Sequence, residues 1–295
     1  MTFHLETEKT IYVHLLERFK SLEKKQVSQN SDEAVQSISD EKSLESLKSI
    51  LVFILKRSAQ QMWPILQSLE TIGLIQNNIV AHPWDFPEKV LFHIIRDSKT
   101  QHNIFIVGAH HGGELRTLAQ LGNIQSISLF EPVPENIYQL KSNASLVPFN
   151  TCVIQAAVGA SCEEVIFYDS TNAGNGSVLS PTEYTKMEWG TEIKSTFVVP
   201  QITLNEYCTK TGLVPSILWI DVQGAEMNVL RGASTPIMNC QFIFIEISLW
   251  QETYDGGCII DSINAYLASY GFKCTQMGTD IKTGTGNALY ERRLG

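Results

Sequence analysis

A mostly parallel α/β sheet, covered by helices on both faces and preceded by a helical N-terminal extension, is the fold this sequence predicts. The prediction rests on three observations. From Asn103 onward, short apolar runs alternate with apolar residues at helix spacing, the rhythm of strand–helix–strand units. The first run, Ile104 to Val107, leads directly into the glycine-bearing turn Gly108-Ala109-His110-His111-Gly112-Gly113. A later run, Leu218-Trp219-Ile220, ends on Asp221 and a glycine turn before another helical pattern. Open α/β sheets place a carboxylate in this way, in the crevice beyond their strand ends.

Each element follows from local pattern. Ile11, Leu15, Leu16 and Phe19 recur at helix spacing, with Glu17, Arg18 and Lys20 on the other side. Ser21 to Ser49 is polar and poor in aromatics, a linker or surface helix. Leu44 to Leu69 is apolar again, with a break expected at Pro64. Pro83 and Pro87 bracket a turn before a helix over Glu88 to Arg96. Residues 1–100 therefore read as a helical extension (a cap, a dimerisation surface or a partner surface), and 101–295 as the α/β domain.

Within that domain, Leu115, Leu118, Ala119 and Leu121 predict a helix after the first strand, and Ser126 to Phe130 a second strand. Pro134 to Ala144 is a helix with proline near its start. Further strands are predicted at Cys152 to Ala156, Glu164 to Tyr168, Thr196 to Val199, Ile217 to Ile220, Phe242 to Ile247, Phe272 to Gln276 and Asn287 to Tyr290. Thr203-Leu204-Asn205-Glu206 is a capping box that opens a helix.

Bulk properties exclude several classes. The net charge of −9, with only isolated basic pairs such as Lys24-Lys25 and Arg292-Arg293, argues against nucleic acid or an anionic membrane as partner. The longest aliphatic run, Ile50 to Leu55, is far short of the roughly 20 residues of a membrane span. The first residues have neither a basic nor an apolar region of a secretory signal. Six scattered cysteines without a C-x-x-C pair read as reduced, mostly buried thiols, with no zinc spacing, so a cytoplasmic location is expected.

Several residues are candidates for chemistry. The turn after Val107 lets backbone approach a ligand and aims N–H groups at it. His110 occupies the place of the second glycine in G-x-G-x-x-G, so a nicotinamide or flavin dinucleotide fits poorly. Glu131 follows the second strand, where it either bonds the ribose hydroxyls of an adenosine ligand or caps the next helix. Asp221 is the candidate for the chemical step, as a base, as a ligand to a divalent cation or as an orienting group. Its bland alternative is the N-cap of a helix starting near Gln223. Glu246, in the apolar run Phe242 to Ile247, is expensive unless partnered at a site. His110 and His111 are alternative bases. Glu226 is expected to orient neighbours or pair with Arg231, and the loop Asn172 to Ser177 to lie over the ligand or shape the acceptor pocket.

Four segments resemble one family. Ile220-Asp221-Val222-Gln223-Gly224-Ala225-Glu226, followed by Val229-Leu230-Arg231-Gly232-Ala233, resembles the I-D-V-E-G-A-E and V-L-x-G-A signature of the FkbM family of S-adenosylmethionine-dependent methyltransferases. Val107 to Gly112 resembles the family's D-V-G-A-N-x-G loop, with Ile106 in place of the aspartate and His110 in place of the asparagine. Phe130-Glu131-Pro132-Val133-Pro134-Glu135-Asn136 resembles F-E-P-x-P-x-N, and Ala156-Ala157-Val158-Gly159 resembles A-A-(L/V)-G.

The resemblance implies a Rossmann-like, seven-stranded methyltransferase sheet and S-adenosylmethionine as methyl donor. It implies a hydroxyl acceptor on a sugar, glycan or secondary metabolite. Cofactor contacts are then expected from Val107, Gly108, Ala109, His110, Gly112, Glu131, Ala156, Ala157 and Asp221, and catalysis from Asp221, Glu246 and His110. Two other readings stand beside it: a catalytically degenerate binding or scaffold module, motivated by Ile106 and Gln223, and an NAD-dependent oxidoreductase. A homo-oligomer formed through the N-terminal helical region is a further expectation.

Overall fold

The structure, a computed structural model, describes residues 85–249, 252–280 and 284–293. The helices expected from Ile11 to Phe19 and Leu44 to Leu69, the intervening linker and the turn at Pro83 lie outside the described residues.

The described chain runs α1 (Phe86–Asp97), β1 (His102–Val107), α2 (Leu115–Leu118), β2 (Ile124–Phe130), α3 (Pro134–Ala144), β3 (Asn150–Ile154), β4 (Ala157–Val158) and β5 (Glu163–Ser170). It continues α4 (Glu183–Trp189), β6 (Ile193–Ile202), α5 (Leu204–Thr211), β7 (Ile217–Ile220), α6 (Glu226–Arg231), α7 (Ser234–Asn239), β8 (Phe242–Ser248), α8 (Ile260–Ser269), β9 (Phe272–Asp280) and β10 (Thr285–Arg292). Seven strands form the main sheet in the order β3-β2-β1-β7-β8-β10-β9. In this sheet β10 runs opposite to the other six strands.

The strand order reverses between β1 and β7, so helices leave their C-terminal ends in opposite directions and a crevice opens there. Register aligns these ends: Val107 pairs with Phe130 and Ile220, Phe130 with Ile154, and Ile220 with Ile245. The residues that follow each strand thus arrive at one edge.

Because helices cover both faces, successive strand residues are apolar in both directions. Ile104, Ile106 and Trp219 pack with Leu91 and Ile95 of α1 and with Leu115, Leu118 and Leu140. Phe105, Val107, Leu218 and Ile220 pack on the other face with Leu204, Tyr207, Val229, Leu230, Ile263 and Leu267. Removing a side chain of this size from water is worth about 1.5–3 kcal/mol. Tyr207 stacks edge-on with Phe105 and Phe130, and its hydroxyl lies 3.0 Å from Ser128 Oγ.

A second sheet, ordered β4-β6-β5, forms an arm beside the crevice. Phe167, Val199 and Ala157 of this sheet pack with Val133, just before α3, which anchors the arm at the cleft mouth.

Three sequence expectations need correction. The helix expected near Gln223 starts at Glu226, because Gln223 (φ 54°) and Gly224 (φ 94°) are left-handed. Gly224 is required there, since a Cβ would meet Tyr254 Cβ at 2.7 Å. The third strand ends at Ile154, where the chain turns so that Ala156 N–H bonds the Ile154 carbonyl. All six cysteines are free, but only Cys208 and Cys240 are buried, while Cys152 and Cys162 are exposed. Among the described residues no helix is long and apolar enough to cross a membrane.

Candidate active site

A cleft of about 320 Å³ lies at the ends of β1, β2 and β7. Val107, Gly108, His110, Glu131, Ala156, Ala157 and Asp221 line it, with His111 and Asn136. Ala109 and Gly112 do not: Ala109 belongs to the core, and Gly112 donates its N–H to the Ala109 carbonyl beneath the turn. The arm supplies the opposite wall through Phe167, Asp169, Ser170 and Lys194, and the 171–178 loop through Thr171, Ala173, Gly174, Gly176 and Val178.

Gly108 brings two strand ends into contact. Its left-handed backbone (φ 86°) sits against Asp221, whose carbonyl oxygen would be 1.7 Å from any Cβ added there. The Gly108 and Ala109 N–H groups both donate to the Phe130 carbonyl, and Asp221 N–H donates to Val107. Ile106, which stands where the related loop has an acid, is buried in the core rather than in the cleft.

Glu131 is buried and held by protein donors. Its Oε1 accepts from Val133 N–H (2.9 Å) and Asn136 Nδ2 (3.0 Å), and its Oε2 from His110 N–H (2.8 Å). It thus braces the start of α3, whose N-cap is Val133, and fixes the left-handed His110 (φ 45°). Oε1 is saturated, while Oε2 keeps one acceptor position. Burial raises the Glu131 carboxyl above its usual range, opposed by these three hydrogen bonds and by the charge of His111.

Asp221 stands in a different setting. It does not cap a helix, since α6 has Ala225 at its N-cap and no side-chain cap bond. Gln223 instead donates through Nε2 to both Asp221 Oδ1 (2.8 Å) and Glu246 Oε2 (2.6 Å). Glu246, buried on β8, does not line the cleft but lies behind this amide. Glu226 Oε1 accepts from Val222 N–H (3.2 Å) and Gly224 N–H (3.1 Å) and so holds the turn. Arg231 stands 3.5 Å from Asn228 Oδ1 rather than pairing with Glu226.

Burial raises the Asp221 carboxyl, against hydrogen bonds from Gln223 and Glu246 and the charge of His110. Glu246 is raised further, by burial and then by the charges of Asp221 and Glu226. Asp221 gains from their mutual hydrogen bond as an anion, so Glu246 is the partner that retains the proton. Glu226 is pushed up to about 7 by burial and by Asp221. Glu114 is likewise pushed to about 7 by burial, Asp221 and Glu88, and its buried Oε1 has no hydrogen-bond partner. His110 is lowered by burial and by His111, whose ring centroid is 3.9 Å away.

The divalent cation raised for Asp221 finds no ligand set. Among the described residues no group of three or more His, Cys, Asp or Glu side chains is arranged to hold a metal.

Sequence reasoning did not anticipate the arm residues Phe167, Asp169 and Lys194, or Tyr254, whose hydroxyl lies 2.9 Å from the Asn175 carbonyl and 3.3 Å from Gln223 Oε1. Strand patterns located the arm, but nothing local says that a hairpin folds over a cleft. Gly224 followed at a distance by an aromatic is no recognisable signal either.

Comparison with known proteins agrees with this geometry. Residues 107–274 match the Methyltransferase FkbM domain. The 2-O-methyltransferase NoeI of Sinorhizobium fredii is 25% identical over 176 residues, 57% of this chain and 71% of that protein. The hexuronic acid methyltransferase AglP of Haloferax volcanii is 25% identical over 125 residues, 41% of this chain and 47% of that protein. Likeness to solved structures is looser: the ribosomal protein L11 methylase of Lactobacillus delbrueckii subsp. bulgaricus aligns with TM-score 0.40 at 10% identity, over 69% of this chain and 76% of that one. With its strand-end glycines, Glu131 and Asp221 inside a match that spans more than half of its length, this chain belongs to the FkbM methyltransferase family.

Proposed function

We propose that the protein transfers a methyl group from S-adenosylmethionine to a hydroxyl oxygen of a sugar or glycan, with Asp221 as the base. The observation that carries this reading is the pair of carboxylates at the switch point. Glu131 and Asp221 line one cleft, the first held by fixed donors and the second by the Gln223 amide that also bonds Glu246.

The residues suit the cofactor. A Cβ-free approach at Gly108, the small side chains of Ala156 and Ala157, and the one open acceptor position on Glu131 Oε2 fit an adenosine. The cleft volume falls in the range of small-molecule sites, about 300–1,000 Å³. When bound, S-adenosylmethionine would supply an electrophilic methyl carbon whose bond to sulfur breaks in line as the oxygen bond forms, with S-adenosylhomocysteine as the leaving group.

The chain's own contribution is positioning and proton removal. Glu131 orients the ribose through Oε2, and the arm closes the wall that excludes water. Asp221 accepts the hydroxyl proton as the oxygen attacks. Glu246 acts through Asp221, which it touches, and not on the acceptor. His110, with its imidazole held toward the neutral form, is the second base within the cleft wall. An oxygen acceptor on a sugar is supported by the names of two relatives, one a 2-O-methyltransferase and the other a hexuronic acid methyltransferase.

Calorimetric titration with S-adenosylmethionine, S-adenosylhomocysteine and NAD tests this. Micromolar binding of the adenosyl ligands alone is expected, followed by transfer of labelled methyl to a panel of glycosides and uronides. Binding of NAD instead would remove the reading, and binding without transfer to any acceptor would favour a degenerate module.

A further inference from the structure

Gln223 occupies the position where the related signature carries glutamate, and its geometry gives that amide a task. Its backbone is left-handed, uncommon for a non-glycine residue, and is set between Asp221 and Gly224. From there Nε2 spends both of its protons on carboxyl groups, Asp221 Oδ1 on the cleft side and Glu246 Oε2 on the buried side. Two carboxyl acceptors on the Nε2 side set the amide orientation, and Oε1 lies 3.3 Å from the Tyr254 hydroxyl.

We propose that Gln223 is a positioning residue: its amide clamps the Asp221–Glu246 pair and keeps Asp221 available in the cleft as the proton acceptor. This rests on the reading of Asp221 as the base. An amide donates two hydrogen bonds without titrating, whereas a glutamate must hold a proton to donate even one. The pair is crowded by acids on every side. Glu226 faces it from α6, Glu114 acts on Asp221 from the start of α2, and Tyr254 faces it from the 252–259 segment. His110, from the turn after β1, is the partner of opposite tendency. A third carboxylate at position 223 would force one more proton into this cluster.

The test is a carboxyl titration of the full chain with 13C-labelled aspartate, followed by NMR, with the Asp221 signal assigned by its loss in Asp221→Asn. Gln223→Glu is isosteric and should move the Asp221 midpoint up by about one pH unit or more. Gln223→Asn accepts the same left-handed backbone but is one methylene too short, and should also raise the midpoint. S-adenosylhomocysteine affinity should stay within about twofold of the unaltered protein in both variants, since neither touches the Glu131 end. Midpoints unchanged in both variants would overturn the clamp. If the unaltered protein binds neither adenosyl ligand, the parent reading fails and the catalytic half of this inference fails with it. The titration would still separate that failure from a failure of the clamp.

Discussion

The two ends of the cleft hold their carboxylates by opposite means. At Glu131 the donors are two main-chain N–H groups and one asparagine, all aimed at oxygens of a single acid. At Asp221 the donors are side chains, the Gln223 amide shared with Glu246 and Glu246 itself, and two more acids stand nearby. Fixed main-chain donors make a lasting negative charge at a set position, which is what binding a ribose requires. Crowded acids that share protons make a group whose protonation can change during a reaction. Under the proposed function, recognition and proton transfer are separated along one sheet edge.

The largest expected effect comes from the second end. Asp221→Asn keeps the shape and the clamp but removes the base, so methyl transfer should fall by about 10²–10⁴-fold. Binding of S-adenosylhomocysteine should change by less than about twofold, measured by calorimetry on the same preparation. A parallel loss of binding would erase the division between the two ends.

Glu131→Ala attacks the first end. It should weaken S-adenosylmethionine binding by about 1.5–3 kcal/mol, roughly ten- to a hundred-fold. The same change leaves the His110 and Val133 N–H groups without their acceptor. Part of the loss should therefore appear as a lower unfolding midpoint without ligand. If transfer at saturating cofactor fell as far as in Asp221→Asn, Glu131 would belong to the chemistry and the comparison would break.

The acid crowding predicts a pH signature in stability. Glu114 is raised to about 7 in the folded protein, above its value in the unfolded chain. Its contribution is therefore fully present below about pH 4.5 and is lost as pH rises through about 7. Glu114→Gln removes that titration. Relative to the unaltered protein, it should be more stable at pH 8 than at pH 5 by on the order of 1–3 kcal/mol. Urea unfolding at the two pH values reads this directly, and an equal difference at both would show that Glu114 does not share the burden of the Asp221 cluster.

Much of this architecture was legible in the chain. β7 and α3 have the bounds their patterns predicted, and Thr203 caps α5 by accepting from Glu206 N–H at 3.1 Å. Runs such as Ile217 to Ile220 read clearly because strands covered on both faces are apolar throughout. The resemblance brought Glu131 and Asp221 forward, and the strand register places both in one cleft. What stayed hidden depends on contacts across the fold. The break before α6 lies in the left-handed Gln223 and Gly224, and the need for glycine there comes from Tyr254, a residue distant in sequence. The departures Ile106 and Gln223 looked like losses of charge, yet one is core packing and the other makes two hydrogen bonds. Neither could be read from residue type alone.

The smallest expected effect discriminates between the two modes of holding an acid. Among the described residues Asn136 is the side-chain donor to Glu131, and it shares Oε1 with Val133 N–H. Removing it in Asn136→Ala leaves the two main-chain donors in place, so affinity for S-adenosylhomocysteine should fall by only about 0.5–1.5 kcal/mol, roughly two- to tenfold. At Asp221, among the described residues, no main-chain donor stands behind Gln223, whose single amide serves both Asp221 and Glu246. A loss in Asn136→Ala as large as that in Glu131→Ala would mean that main-chain donors do not set the carboxylate. The recognition end would then depend on a side-chain clamp just as the proton-transfer end does.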